Sequence, residues 1–120
     1  MSNLFISFVK ISDSAQGGAR RQTPPFSGAA GFISKGDGLN TKLAVGASAT
    51  SAGDRPQVPA GYDRIIVTAF ATDAVVSVGK NPTAANPGGS PGQGVLIQSG
   101  EFRVFNVEPG DLISTVALSL

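Results

Sequence analysis

The sequence predicts an all-β fold, a small antiparallel β-sandwich or jelly-roll-like barrel with a long irregular N-terminal segment. Three observations predict it. Apolar residues come in short runs that alternate or are apolar throughout, the periods of strands. Gly, Pro, Asn and Asp clusters punctuate those runs. No stretch carries the 3.6-residue period of an amphipathic helix. Seven or eight short strands joined by turns are how sandwiches and small barrels are written.

The first run, Asn3–Ile11, reads NLFISFVKI. Leu4, Ile6 and Phe8 fall on one face, Phe5 and Val9 on the other. The pattern predicts a strand buried on both sides, between two sheets or between this subunit and a neighbour. Ser12–Asn40 holds six glycines and the pair Pro24-Pro25, which no helix passes through. So long a segment without regular structure is unusual inside a domain. It reads as an arm lying on a partner, or as a loop over 12–40 with a short strand around Phe26–Ser34. Phe26, Phe32 and Ile33 favour an ordered segment.

Thr41–Thr50 alternates, with Leu43, Val45, Ala47 and Ala49 on one face, and predicts a half-buried strand. Ser51–Gly61 is a loop. Tyr62–Thr72 is the strongest strand, with Ile65, Val67, Ala69 and Ala71 against Ile66, Thr68 and Phe70. A turn at Thr72-Asp73 leads into Ala74–Gly79. Lys80–Gly94, with three Pro and four Gly, is a loop. Val95–Gln98 is a short strand, Ser99-Gly100 a tight hairpin turn, and Glu101–Val107 its return. Glu108-Pro109-Gly110-Asp111 has the type II turn pattern. Leu112–Leu118 closes what reads as an antiparallel meander.

The chain of 120 residues is one domain, 1–120. Charged residues make up 14%, below the usual quarter. A surface so poor in charge is either rich in Ser, Thr, Asn and Gly or covered by partners, and the second reading points to assembly. The net charge is +1 and Lys and Arg do not cluster beyond Arg20-Arg21, so nucleic acid is not an expected partner. No run approaches the ~18 apolar residues of a membrane helix. MSNLFISFVKI lacks the basic start of a signal peptide.

Cys and His are both absent, which removes disulfides, thiolate metal sites and most nucleophile–base pairs. Neither enzyme chemistry nor a cofactor or metal is expected. A two-carboxylate mechanism would need two of Asp13, Asp37, Asp54, Asp63, Asp73, Glu101, Glu108 and Asp111 to meet in a cleft. Six of these eight sit in or beside turns and loops, where such side chains stabilise the backbone. Ser34–Gly38 has too few carboxylates for a cation loop. Gly88–Gly94 lacks the ending and the helix of a phosphate loop and reads as a sheet-edge loop. The candidate contact residues are Arg20, Arg21 and Phe26, since Arg and aromatics are enriched at interfaces.

From Tyr62 onward the pattern resembles a group of small tailed-bacteriophage virion structural proteins. The resemblance rests on Val78–Ala84, VGKNPTA, then a Gly/Pro-rich gap, then a short strand ending at Gln98-Ser99-Gly100-Glu101. It continues in Phe105–Asp111, FNVEPGD, and a final apolar strand. It covers about half the chain and its motifs are structural. It implies a β-sandwich that decorates or cements a capsid, bound to the major capsid protein on the virion surface, as a symmetric oligomer, expected here to be a homotrimer. Such a protein is synthesised in the host cytoplasm. Arg20, Arg21 and Phe26 would then contact the capsid or a neighbouring subunit. The alternative is a tail-tip, fibre or spike module binding a host glycan. The lack of Trp and the single Tyr, Tyr62, argue against it, because sugar rings stack on aromatic faces.

Overall fold

The computed structural model describes residues 2–12, 32–33, 38–88 and 91–119. The described residues form nine strands, β1 Asn3–Val9, β2 Ile11–Ser12, β3 Phe32–Ile33, β4 Leu39–Ala44, β5 Arg64–Phe70, β6 Ala74–Gly79, β7 Val95–Ile97, β8 Phe102–Asn106 and β9 Leu112–Ala117. One sheet has four strands in the order β4-β1-β5-β8, and a second has three in the order β7-β6-β9. All pairings are antiparallel. A short ladder of β2 with β3 sets Ile11 opposite Ile33 beyond the β1–β4 pair. The short strand expected around Phe26–Ser34 is thus present at Phe32–Ile33; the rest of that expectation lies outside the described residues.

The two sheets pack face to face as a sandwich. Leu4, Ile6 and Phe8 of β1, Leu43 of β4 and Ile65, Val67 and Ala69 of β5 form one wall of the core. Ala74 and Val76 of β6, Ile97 of β7 and Ile113 of β9 form the other. Each fully buried aliphatic side chain contributes ~1.5–3 kcal/mol, and alternation along each strand delivers them to one side. Leu4, Ile6 and Phe8 of the first strand and Ile65, Val67 and Ala69 of the strongest one share the inward side as alternation predicts, but Ala71, expected on the same face, lies beyond the end of β5 and is exposed.

The expected meander is not what forms. β7 pairs with β6 while β8 pairs with β5, so the Ser99-Gly100 turn carries the chain from one sheet to the other and makes no hairpin. Glu101 N–H does donate to Gln98 O at 2.9 Å, with Gly100 at φ +86°. Ala71–Asp73 and Glu108–Asp111 also switch layers. This alternating path is jelly-roll-like. The local pattern specified strands and turns but not which strands pair.

The strand expected over Thr41–Thr50 also changes layer. It ends at Ala44, and Ala47 is exposed where alternation put it inside. Residues 46–58 then run along the free side of β9. Ala117 N–H donates to Gly46 O at 2.8 Å, Thr50 N–H to Thr115 O at 3.1 Å and Ile113 N–H to Pro56 O at 3.1 Å. Val58 N–H reaches Asp111 O at 2.8 Å. Gly46 is where the regular ladder stops.

Described residues of the Lys80–Gly94 loop pack on the outer face of the second sheet, so this loop is more than a sheet-edge connection. Ala84 packs on Val75 and Val116 in a small second core. Its N–H donates to Ser114 Oγ at 3.1 Å, and Asn86 Nδ2 donates to Ala117 O at 2.9 Å. Ala85 and Gln93 exchange two backbone hydrogen bonds of 3.0 Å. A Cβ on Gly92 would lie 2.3 Å from Ala85 O, so only glycine lets the two legs of the loop approach.

Candidate interaction surface

The outer face of the four-stranded sheet has no such cover among the described residues. β1 and β5 alternate, so Phe5, Ile66, Thr68 and Phe70 project outward while their neighbours enter the core. Register then assembles rows across the sheet. Lys42, Phe5, Thr68 and Phe102 make one row; Asn40, Ser7, Ile66 and Val104 make the next. Ala44, Asn3 and Phe70 make a third. Phe5 and Phe70 meet edge to face across the strands, with ring centroids 5.8 Å apart, a favoured aromatic geometry.

The result is an apolar surface on a rigid sheet. Phe5 is 43% exposed, Phe70 56%, Phe102 59% and Val104 55%. Asn, Ser and Thr side chains border it, and Ser7 Oγ donates to Asn40 Oδ1 at 2.6 Å. Lys42 supplies a positive charge, and no carboxylate occurs in these rows. Large aromatics at the centre with a polar border and few charges is the anatomy of a protein interface.

The double-sided burial expected for the first strand is therefore corrected. Leu4, Ile6 and Phe8 are buried, and Val9 on the other side is buried as expected, but Phe5 on Val9's side is exposed, because no described residue packs over the Phe5 end of β1. Arg20, Arg21 and Phe26, the contact residues proposed from sequence, lie outside the described residues, as does most of the 12–40 arm. The face formed by Phe5, Phe70, Phe102 and Val104 was not foreseen as a site. Its signal was present: outward positions on three strands hold Phe, Ile or Val, with no helix in the sequence to pack on them.

Two of the loop carboxylates do converge. Lys80 Nζ lies 2.9 Å from Asp111 Oδ1 and 3.7 Å from Glu108 Oε1. Asp111 Oδ2 also accepts from Glu108 N–H at 2.9 Å. Gly110 has φ +92° and Asp111 N–H donates to Glu108 O at 3.0 Å, so the predicted type II turn forms. The Glu108 N–H, then Lys80, hold the Asp111 carboxyl below its ordinary range. The hydrogen bond to Asp111, chiefly, raises the Lys80 ammonium. A carboxylate stabilised in its charged form is poorly suited to donate a proton near neutrality. This cluster instead ties the start of the long loop to the β8–β9 corner, joining the VGKNPTA and FNVEPGD segments in space.

Among the described residues, no group of three or more His, Cys, Asp or Glu is placed to hold a metal ion. Comparison with protein-family models, with curated proteins and with solved structures found no match.

Proposed function

We propose that this chain is a structural protein of a bacteriophage virion that binds the outer surface of the capsid and stabilises it, acting as a homotrimer. The aromatic face of the four-stranded sheet, uncovered among the described residues, carries the reading. A rigid sheet with Phe5, Phe70 and Phe102 exposed is built to be covered, and the major capsid protein or a neighbouring copy of the chain is the proposed cover. The resemblance of residues 62–120 to small virion proteins selects a phage capsid as the setting.

The physics of cementing fits such a surface. A protein that binds the mature shell better than its precursors or its fragments shifts the equilibrium toward the intact particle. Several weak contacts from one symmetric oligomer add through effective concentration. The glycan-binding alternative has less support, because the single Tyr, Tyr62, is partly buried against the core and the chain has no Trp.

Mixing purified protein with expanded capsids tests the proposal. The protein is expected to co-sediment with the shell and to raise its melting temperature. Replacing both Phe70 and Phe102 by Ser is expected to abolish binding while the chain keeps its own unfolding transition. Wild-type protein that binds no capsid form, or a double variant that binds unchanged, would overturn the reading.

A further inference from the structure

The edges of the two sheets are not treated alike. The free side of β9 is covered by residues 46–58. β7 is an edge of only three residues. β4 carries Lys42 near its middle, a common way of discouraging strand addition. β8 is an edge of five residues, Phe102–Asn106, with no Pro, Gly or Lys. Among the described residues nothing pairs with its outer side.

The hydrogen bonds flanking β8 fix which groups point outward. Ala69 N–H donates to Glu101 O at 3.1 Å, and Val107 N–H to Asp63 O at 3.0 Å. Odd-numbered residues of this stretch therefore face β5. In an antiparallel ladder the alternate residues turn their N–H and C=O the other way, so Phe102, Val104 and Asn106 present theirs at the edge. In the single chain Arg103 Nη1 folds back onto the Phe102 carbonyl at 2.9 Å, and Arg103 Nη2 reaches Glu101 at 3.3 Å.

We infer that β8 is a self-pairing edge: it takes β8 of a second copy, antiparallel, about a two-fold axis at Val104. In that register Val104 faces Val104, Phe102 faces Asn106 and Asn106 faces Phe102, each pair exchanging two hydrogen bonds. Arg103 falls opposite Phe105, so no like charges stand directly across, and each arginine keeps its own Glu101. The outward Ile66 and Val104 of both copies join in one continuous apolar stripe. A two-fold contact of this kind is self-complementary, and beside the proposed homotrimer it joins chains of two trimers in pairs. It goes beyond the capsid proposal and needs only the full-length protein in solution.

Crosslinking tests it cleanly because the chain has no cysteine. A hydrogen-bonded cross-strand pair has Cα atoms ~5.5 Å apart, within the roughly 4.4–6.8 Å that a disulfide spans. Val104→Cys is expected to give disulfide-linked pairs on mild oxidation, well above Lys42→Cys on the other edge. In sedimentation, Val104→Lys and Val104→Glu are each expected to weaken the pair about tenfold or more, and an equimolar mixture to restore it, since opposite charges would then face each other. Crosslinking no greater than the Lys42→Cys control, or no recovery in the mixture of two folded variants, would overturn the inference.

Discussion

Asp111 does two jobs with its two carboxylate oxygens, and substitution separates them. Its side chain is 13% exposed, with Oδ2 on the Glu108 N–H and Oδ1 on Lys80. Asp111→Ala removes both and leaves the N–H without its partner at a corner that links the sheets. The expected cost is about 1–3 kcal/mol, the range for a lost hydrogen bond to a charged group in a partly buried site. Asp111→Asn keeps an acceptor for the N–H and loses the ion pair. That pair involves an exposed lysine, so the cost is expected to stay below about 1 kcal/mol. The sign of the pH dependence follows from the lowered carboxyl. Its stabilisation is fully present above the unfolded value, 3.8, and is lost as pH falls through the lower folded value. The assay is urea denaturation of wild type and both variants from neutral pH to below 3. The gap between wild type and Asp111→Asn is expected to hold at neutral pH and to shrink at the acid end. An Asn variant as unstable as the Ala variant, or a gap that ignores pH, would refute this account of the corner.

Gly92→Ala is expected to lower stability by about 2–3 kcal/mol, because the new Cβ meets only backbone atoms at 2.3 to 2.8 Å; Gly88→Ala, with open space around it, is the neutral control in the same denaturation series. Ala71 sits at φ +63° at the β5–β6 corner, a conformation that costs a non-glycine residue ~1 kcal/mol. Thermal unfolding is expected to show Ala71→Gly slightly more stable than wild type and Ala71→Val about 1–2 kcal/mol less stable.

Strand identity was legible because side-chain alternation is a local property. Ala74–Gly79 has the observed limits of β6, and the Pro-Gly order at residues 109 and 110 specified its turn type correctly. Pairing was not legible. A strand such as Val95–Ile97 carries no mark of which neighbour it will join, and two residues between strands can turn within a sheet or between sheets. Thr41–Thr50 misled because its alternation continues past Gly46, while the chain there leaves one ladder for another. The candidate surface was half legible. Phe5 and Phe70 stood out as apolar on a second face, but only the register shows that Phe5, Phe102 and Thr68 share a row.

The layer-switching path has a kinetic consequence. Asn3 is paired with Phe70, Arg64 with Asn106 and Ala74 with Ala117, so almost every ladder joins segments distant in sequence. Loop closure must precede most of the stabilising contacts, which places this chain among slow folders. During synthesis β1 meets β4 first, and its Leu4 and Ile6 stay unsheltered until residues 64–70 and the second sheet have emerged.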